Sequence, residues 1–278
     1  MRKFFCDVAL ALIVPIGFLW VWHTCSLNIQ NEVVLPKIAN VLSVLSHPQA
    51  DLFNMGSLSR NVIASLVRVL TGYFIAVVLA VPLGLLMGYS KTAYKMLDLF
   101  FGLFRPIPAL AWIPLVLAWF GVASMATVVG IEEGEWYPFF SNIKLSMIFI
   151  IFLGAFFATL GNTVHGVRNV RVTLVESTKV LGATRLQIAY KIVLPAAAPQ
   201  IFTGMRAGLS SSWTALVGAE MMPGSISGVG YLITHAYTVA QTDVVIAGMI
   251  IIAVMGKILD QVFALLEPKK LKLQKLYR

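Results

Sequence analysis

Arg68, Arg105, Glu220, Lys257 and Asp260 all lie inside long apolar stretches of this 278-residue chain. A charge in such a stretch is costly, so each is a functional candidate until a partner is named. Arg68 and Glu220 fall at comparable depth in two different stretches. They are placed to pair, and the competing role for Arg68 is attraction of an anion. Arg105 opens a run with Pro106, Pro108 and Pro114. Three prolines interrupt helical hydrogen bonding, which is tolerated only where the chain is packed in protein or lines a cavity. The 105–114 run is therefore either a cavity lining or a kinked packing helix. Lys257 and Asp260, at i and i+3, read as a local ion pair with a snorkelling lysine.

Bond-making chemistry has little to work with. His23, His47, His165 and His235 are scattered with no metal-ligand or triad spacing. Cys6 and Cys25 would be about 28 Å apart on one helix, too far to bridge. No Gly-x-x-x-x-Gly-Lys-Ser/Thr phosphate loop occurs, so any ATP must be bound by another chain. Ser210, Ser211 and Ser212 read as small residues for close helix packing.

The elements that position these residues are membrane helices. Hydrophobic residues make up 59% and charged residues 12% of the chain, with a mean hydropathy of +0.85. A soluble domain of this length carries more charge. The pattern predicts an all-α integral membrane protein with six transmembrane helices near 8–24, 61–88, 97–120, 145–166, 198–220 and 244–265. The first stretch has a basic start but lacks a small-residue cleavage site after it, so a retained helix is expected rather than a signal peptide. A short surface helix is expected between Val33 and Leu45, after a Leu-Pro start.

The net charge of +9 is not a nucleic-acid signature, because the cations sit between apolar blocks and at the two ends. With both termini inside, fourteen Lys and Arg face the cytoplasm and three (Lys37, Arg60, Lys144) face outward. That asymmetry predicts an N-in, C-in orientation. Trp20, Trp22, Trp119, Trp136 and Tyr137 then fall near the outer boundary, where such rings prefer to sit.

The inner loop of about 168–195 has a regular design. A short helix carries Glu176, Ser177 and Thr178, and Gly182 can close it in the left-handed conformation. Leu186, Ala189, Tyr190 and Val193 then recur at helical spacing, and Pro195 is expected to break that second helix before the fifth span. The result is a tight corner between two short helices, suited to a groove in a soluble partner.

On these residues the chain resembles type I ABC importer permeases, whose EAA coupling motif has an acidic-small-small triplet, a glycine, and an Ile-x-Leu-Pro element. Glu176, Ser177, Thr178, Gly182, Ile192, Leu194 and Pro195 occupy those positions. Ser177 and Thr178 stand where the family has alanine. Ala64–Leu70, Pro82–Gly88, Arg105–Pro108, Ala111–Leu115 and Thr203–Arg206 resemble the nitrate/sulfonate/taurine branch in the same order.

The resemblance implies three parts: an N-terminal helix and outer segment (1–56), a permease transmembrane domain (57–265) and a basic cytoplasmic tail (266–278). It implies no cofactor in this chain, with ATP and Mg on a partner. Leu181, Gly182, Ala183, Thr184 and Arg185 would dock on that partner, one of two ATPase subunits. Other implied partners are a periplasmic or lipid-anchored solute-binding protein and a second permease subunit, giving a homodimer in membrane lipid. The location would be a bacterial inner membrane. Arg68, Arg105, Pro106, Pro108 and Glu220 are the candidates for the substrate path. The cargo would be a small solute, anionic in the nitrate, sulfonate or taurine class, or else a pyrimidine-type vitamin precursor.

The segment 121–144, with Glu132, Glu133 and Glu135, is longer than in familiar branch members. It is a contact for the binding protein, a cover over the outer gate, or a tolerated surface insertion. An ion-coupled secondary transporter would instead show inverted repeats, and none is evident in the sequence.

Overall fold

The computed structural model describes residues 2–29, 31–52, 55–121, 123–134, 136–222 and 225–267, with the backbone alone at 2–9, 11 and 138. The described chain is helical: α1 (Arg2–Ile29), α2 (Ile38–Ser46), α3 (Leu58–Tyr89), α4 (Lys91–Phe104), α5 (Ile113–Phe120), α6 (Met125–Val129), α7 (Tyr137–Ser141), α8 (Leu145–Arg168), α9 (Val172–Val180), α10 (Arg185–Ile188), α11 (Leu194–Glu220), α12 (Val229–Thr238) and α13 (Thr242–Leu266). A 3-10 turn (Ala109–Trp112) precedes α5, and a π turn (Ala189–Val193) joins α10 to α11. The expected basic tail lies outside the described residues from 268 onward, as do the side chains of Arg2, Lys3 and Cys6.

α8 is the hub. In its most apolar window 61% of the residues are buried, against 28% in α3, 17% in α13 and 6% in α1. α3 and α11 both pack on it and also touch each other, and glycines set how closely. A Cβ at Gly84 of α3 would overlap Thr163, and one at Gly204 of α11 would overlap Asn162. Lipid supplies no hydrophobic drive between helices, so this close approach, with the dispersion contact it allows, holds the bundle together. Ala76, Ala80, Ala155 and Leu160 fill one layer, and Val69, Ile151, Trp213 and Leu216 fill another.

α1, α3, α8 and α13 are each long and apolar enough to cross a membrane. α3 has 32 residues, about 48 Å at 1.5 Å per residue, so it tilts or extends beyond a hydrocarbon layer of about 30 Å. The expected third span is not one straight helix. α4 and the Ala109–Phe120 segment are bent by 82° at the break holding Arg105, Pro106 and Pro108. Proline removes the N–H donors there and restricts the residue before it, so the helix stops and restarts. α11 is long enough to span at 27 residues, but Gln200, Arg206, three consecutive serines and Glu220 make it less apolar than the others.

Pro195 does not break the chain as expected. The Leu194 N–H donates to the Ala189 carbonyl, five residues back, and Pro195 falls in the first turn of α11. The wider π turn absorbs the missing donor, so helix runs from Arg185 to Glu220. The surface helix expected at 33–45 is α2. Val41 on it is buried, and Val44 and Leu45 pack on Leu58, Leu232 and Val244.

Candidate functional site

Arg68 is on α3, about three turns from the Ser57 cap that starts the helix by accepting the Arg60 N–H. Glu220 is the last residue of α11. Each is only 1% exposed. The Arg68 Nη1 donates to Glu220 Oε1 at 2.7 Å and to the Ser227 carbonyl at 2.8 Å. Nη2 donates to Ser227 Oγ at 2.7 Å, and Nε to the Asn142 carbonyl at 3.0 Å. Glu220 also accepts from the Ser65 hydroxyl at 2.8 Å and the Gly230 N–H at 3.0 Å.

The surrounding chain closes the network. Asn61 Oδ1 accepts the Gly228 N–H, Ser65 Oγ accepts the Val229 N–H, and Ser227 Oγ donates to Asn142 Oδ1. Gly228 has φ +117°, and a Cβ there would land on the Glu220 carboxylate. One charged pair thus ties α3, Asn142 at the end of α7, the end of α11 and the start of α12. Burial and the nearby Arg68 charge lower the pKa of Lys144, which caps α8 beside this network. A buried pair with its donors and acceptors satisfied is a structural lock. In this conformation both charges are shielded from solvent.

Arg105 is elsewhere. It lies exposed at the α4–α5 break, with its guanidinium over Gly161 of α8. Pro106 and Pro108 are exposed beside it. The Phe104 and Trp112 rings meet across the break, centroids 5.7 Å apart. Ser212 is buried and donates to the Ile151 carbonyl, so it packs as expected. Ser210 and Ser211 do not pack in this way. With Thr203, Ala207 and Thr214 they form an exposed, small, largely polar face of α11.

Asp260 does not pair locally with Lys257 as expected. Arg206 of α11 holds it with two parallel hydrogen bonds, Nη2 to Oδ2 at 2.7 Å. The guanidinium fork matches a carboxylate, which favours this pairing over an ammonium at i−3.

The corner after α8 is built from the inside out. Val167, Val170, Ile188, Val193 and Ala197 form a small core beneath it. α9 ends at Val180 and Gly182 turns the chain at φ +80°. Thr184 then starts α10 with a reciprocal cap, its hydroxyl accepting the Gln187 N–H while Gln187 Oε1 accepts the Thr184 N–H. Ser177 and Thr178 return their hydroxyls to carbonyls of their own helix, at Thr173 and Leu174. They act as small residues where the resembling family has alanine. Glu176, Ser177, Thr184, Arg185 and Pro195 are exposed, while Ala183 and Leu194 are half-buried. Val180 and Leu181, at 88% and 83% exposure, project from the corner with Leu186. An apolar knob on a capped turn is a candidate contact surface.

The site residues that sequence reasoning missed are Asn61, Ser65, Asn142, Ser227 and Gly230. The Gly228 and Gly230 pair was the available signal, since glycine marks close backbone approach. Among the described residues no three His, Cys, Asp or Glu side chains gather as metal ligands.

The profile of the binding-protein-dependent transport system inner membrane component family matches residues 80–272. A protein of Methanocaldococcus jannaschii assigned as an ABC transporter permease is 42% identical over 95% of this chain and 91% of its own length. The taurine transport system permease of Escherichia coli is 32% identical over 86% of this chain and 80% of that protein. A nitrate import permease of Synechocystis is 36% identical over 74% of this chain and 68% of its own length. Among solved structures, a chain of the MetNI methionine ABC transporter in inward-facing form superposes with a TM-score of 0.57. It covers 76% of this chain and 96% of that one at 17% identity, a likeness of fold.

Proposed function

This chain belongs to the family of binding-protein-dependent transport system inner membrane components, in the nitrate/sulfonate/taurine branch of ABC importer permeases, and from that membership we propose how it works. Its fold is that of a type I importer permease. We assign the 57–265 region as the permease domain, with both termini cytoplasmic and six passes through the plasma (inner) membrane, the bent α4–α5 unit and α11 included. Two copies face each other. The exposed small-polar face of α11 and the Arg105–Pro108 break flank the path between them. Such a face is poorly suited to lipid and well suited to a wet path. Arg68 and Glu220 hold the outer ends of the helices that bound it.

The cargo is a small solute bearing an anionic group of the nitrate or sulfonate type. The names of the relatives favour that class, and the exposed Arg105 charge agrees with it. A solute-binding protein delivers it outside. Two ATPase subunits, carrying ATP and Mg, attach inside.

One observation carries the coupling assignment. Val180, Leu181 and Leu186 stand exposed around the Gly182 turn while the residues beneath them are packed. A groove on each ATPase takes this knob, and closure of the ATPase pair moves α9, α10 and the helix continuous with it through α11. Affinity purification of the tagged chain tests the assembly. Recovery with two ATPases and a second permease, and uptake that needs ATP, are expected. Recovery of the chain alone with uptake driven by an ion gradient would overturn the assignment. Direct binding of taurine, alkanesulfonates and nitrate to the co-encoded binding protein then names the cargo.

A further inference from the structure

A large cavity lies away from the proposed path, beneath the coupling corner. It measures about 820 Å³ and is walled by the ends of α3 and α8, the start of α4, and α9 and α10. Five of its lining residues are cations: Lys91, Lys95, Arg168, Lys179 and Arg185. No carboxylate lines it, and among the described residues the ion pairs lie elsewhere, at Glu32, Glu220 and Asp260.

This arrangement works against the fold that carries it. Lys91 and Lys95 are one helical turn apart on α4, where like charges repel. They sit at the positive end of that 14-residue helix, whose first turn holds no acidic residue. The Arg168 guanidinium is held on the same side, 4.1 Å from the centre of the Tyr94 ring. An anion in the cavity would offset all of these repulsions together.

The rest of α4 indicates what kind of anion. Lys91, Lys95, Leu99 and Leu103 follow one another at intervals of four along a single exposed ridge, with Met96 and Phe100 exposed beside it. Cations at one end of a ridge and bare apolar side chains along the remainder match an amphiphile with a phosphate head and hydrocarbon tails.

We propose that this cavity binds the phosphate group of an anionic phospholipid of the inner leaflet, and so links lipid composition to the seating of the coupling corner. The proposal rests on the cytoplasmic placement of the corner argued above. Its test uses detergent-purified protein, so it is read independently of orientation and uptake.

The full-length chain, with whatever subunits co-purify, is exposed to mixed phosphatidylglycerol and phosphatidylcholine, and retained lipid is counted by native mass spectrometry. Preferential retention of phosphatidylglycerol is expected. Lys91→Gln with Lys95→Gln should lower it by about fivefold per cation removed. Lys91→Arg with Lys95→Arg should keep it, which separates charge from folding. Arg171→Gln removes a nearby cation that does not line the cavity and should leave retention unchanged.

If inorganic phosphate displaces the lipid and protects Lys95 from amine labelling in the wild type, the site stands and takes free phosphate as well. Three outcomes overturn the proposal: no preference for the anionic lipid, unchanged retention in the glutamine variant, or an equal loss with Arg171→Gln. Unchanged lipid retention with loss of ATPase recovery would likewise overturn it, and would make the cavity a protein-docking surface.

Discussion

The guanidinium of Arg68 on α3 and the carboxylate of Glu220 on α11 meet at 2.7 Å across 152 positions of sequence, both fully buried. Removing one partner strands the other charge away from water, at a cost of about 3–5 kcal/mol. Arg68→Gln and Glu220→Gln should each lower the thermal midpoint sharply and reduce the yield of monodisperse permease in detergent. The double variant should lose less than the sum, with a coupling of about 1–3 kcal/mol. Strict additivity would remove the lock, and wild-type stability with lost uptake in Arg68→Gln would instead make Arg68 a solute-binding residue.

Gly228→Ala tests the same lock from its backbone side. At φ +117° alanine is strained, and its Cβ would displace the Glu220 carboxylate. Gly182 is the natural comparison, with φ +80° and nothing within 4 Å of an added Cβ. Gly182→Ala should cost only the left-handed penalty of about 1–2 kcal/mol. Gly228→Ala should cost clearly more, as a thermal melt of the two purified variants will show, because the charge network has to shift as well.

Leu181 is the most telling probe of coupling. At 83% exposure it contributes little to the fold, so Leu181→Glu should change stability by no more than about 0.5 kcal/mol. Solute uptake and co-purification of the ATPase should fall by about tenfold or more, the size expected for an interface hot spot. Full uptake in a membrane-inserted Leu181→Glu protein would remove the corner from the coupling mechanism.

What the sequence disclosed follows from how far its signals reach. The Gly182 corner was legible because a turn glycine and an apolar repeat lie within about a dozen residues. The long helices were legible for the same reason, each by its own hydropathy. Of the contacts between distant segments, only the Arg68–Glu220 pair was legible, from the matching depth of two isolated charges. Nothing near Arg68 pointed to Asn142 or Ser227, and nothing near Asp260 ranked Arg206 above Lys257. α12 also escaped notice. At ten residues it is about 15 Å long, too short to register as a span, and its place is set by tertiary burial of Val229, Leu232 and Ala236. Pro195 was over-read, since a π turn can absorb a proline that an α-helical register rejects.

Orientation can be read with single cysteines in a background where Cys6 and Cys25 are serine. Glu133 and Leu181 are both exposed, and the charge asymmetry puts them on opposite sides of the membrane. Glu133→Cys should react with an impermeant maleimide in intact spheroplasts. Leu181→Cys should react only after permeabilisation. The reverse pattern would invert the topology and remove the corner from the cytoplasm.

The outer segment offers a last separation of fold from function. Its neck is closed by two backbone hydrogen bonds, Met125 N–H to the Ile143 carbonyl at 2.9 Å and Leu145 N–H to the Ala123 carbonyl at 3.1 Å. Asn142, at the near end of that neck, belongs to the Arg68 network. The tip around Glu132 and Glu133 is exposed and acidic. Deleting 130–135 and joining the ends with two glycines therefore leaves both the neck and Asn142 in place. Loop closure changes little over so few residues, so the thermal midpoint should hold. If the tip receives the solute-binding protein, uptake should fall and its dependence on binding-protein concentration should shift upward. A deletion that alters neither would make the tip a tolerated insertion, whereas one that unfolds the protein would show that the tip supports the Arg68 lock.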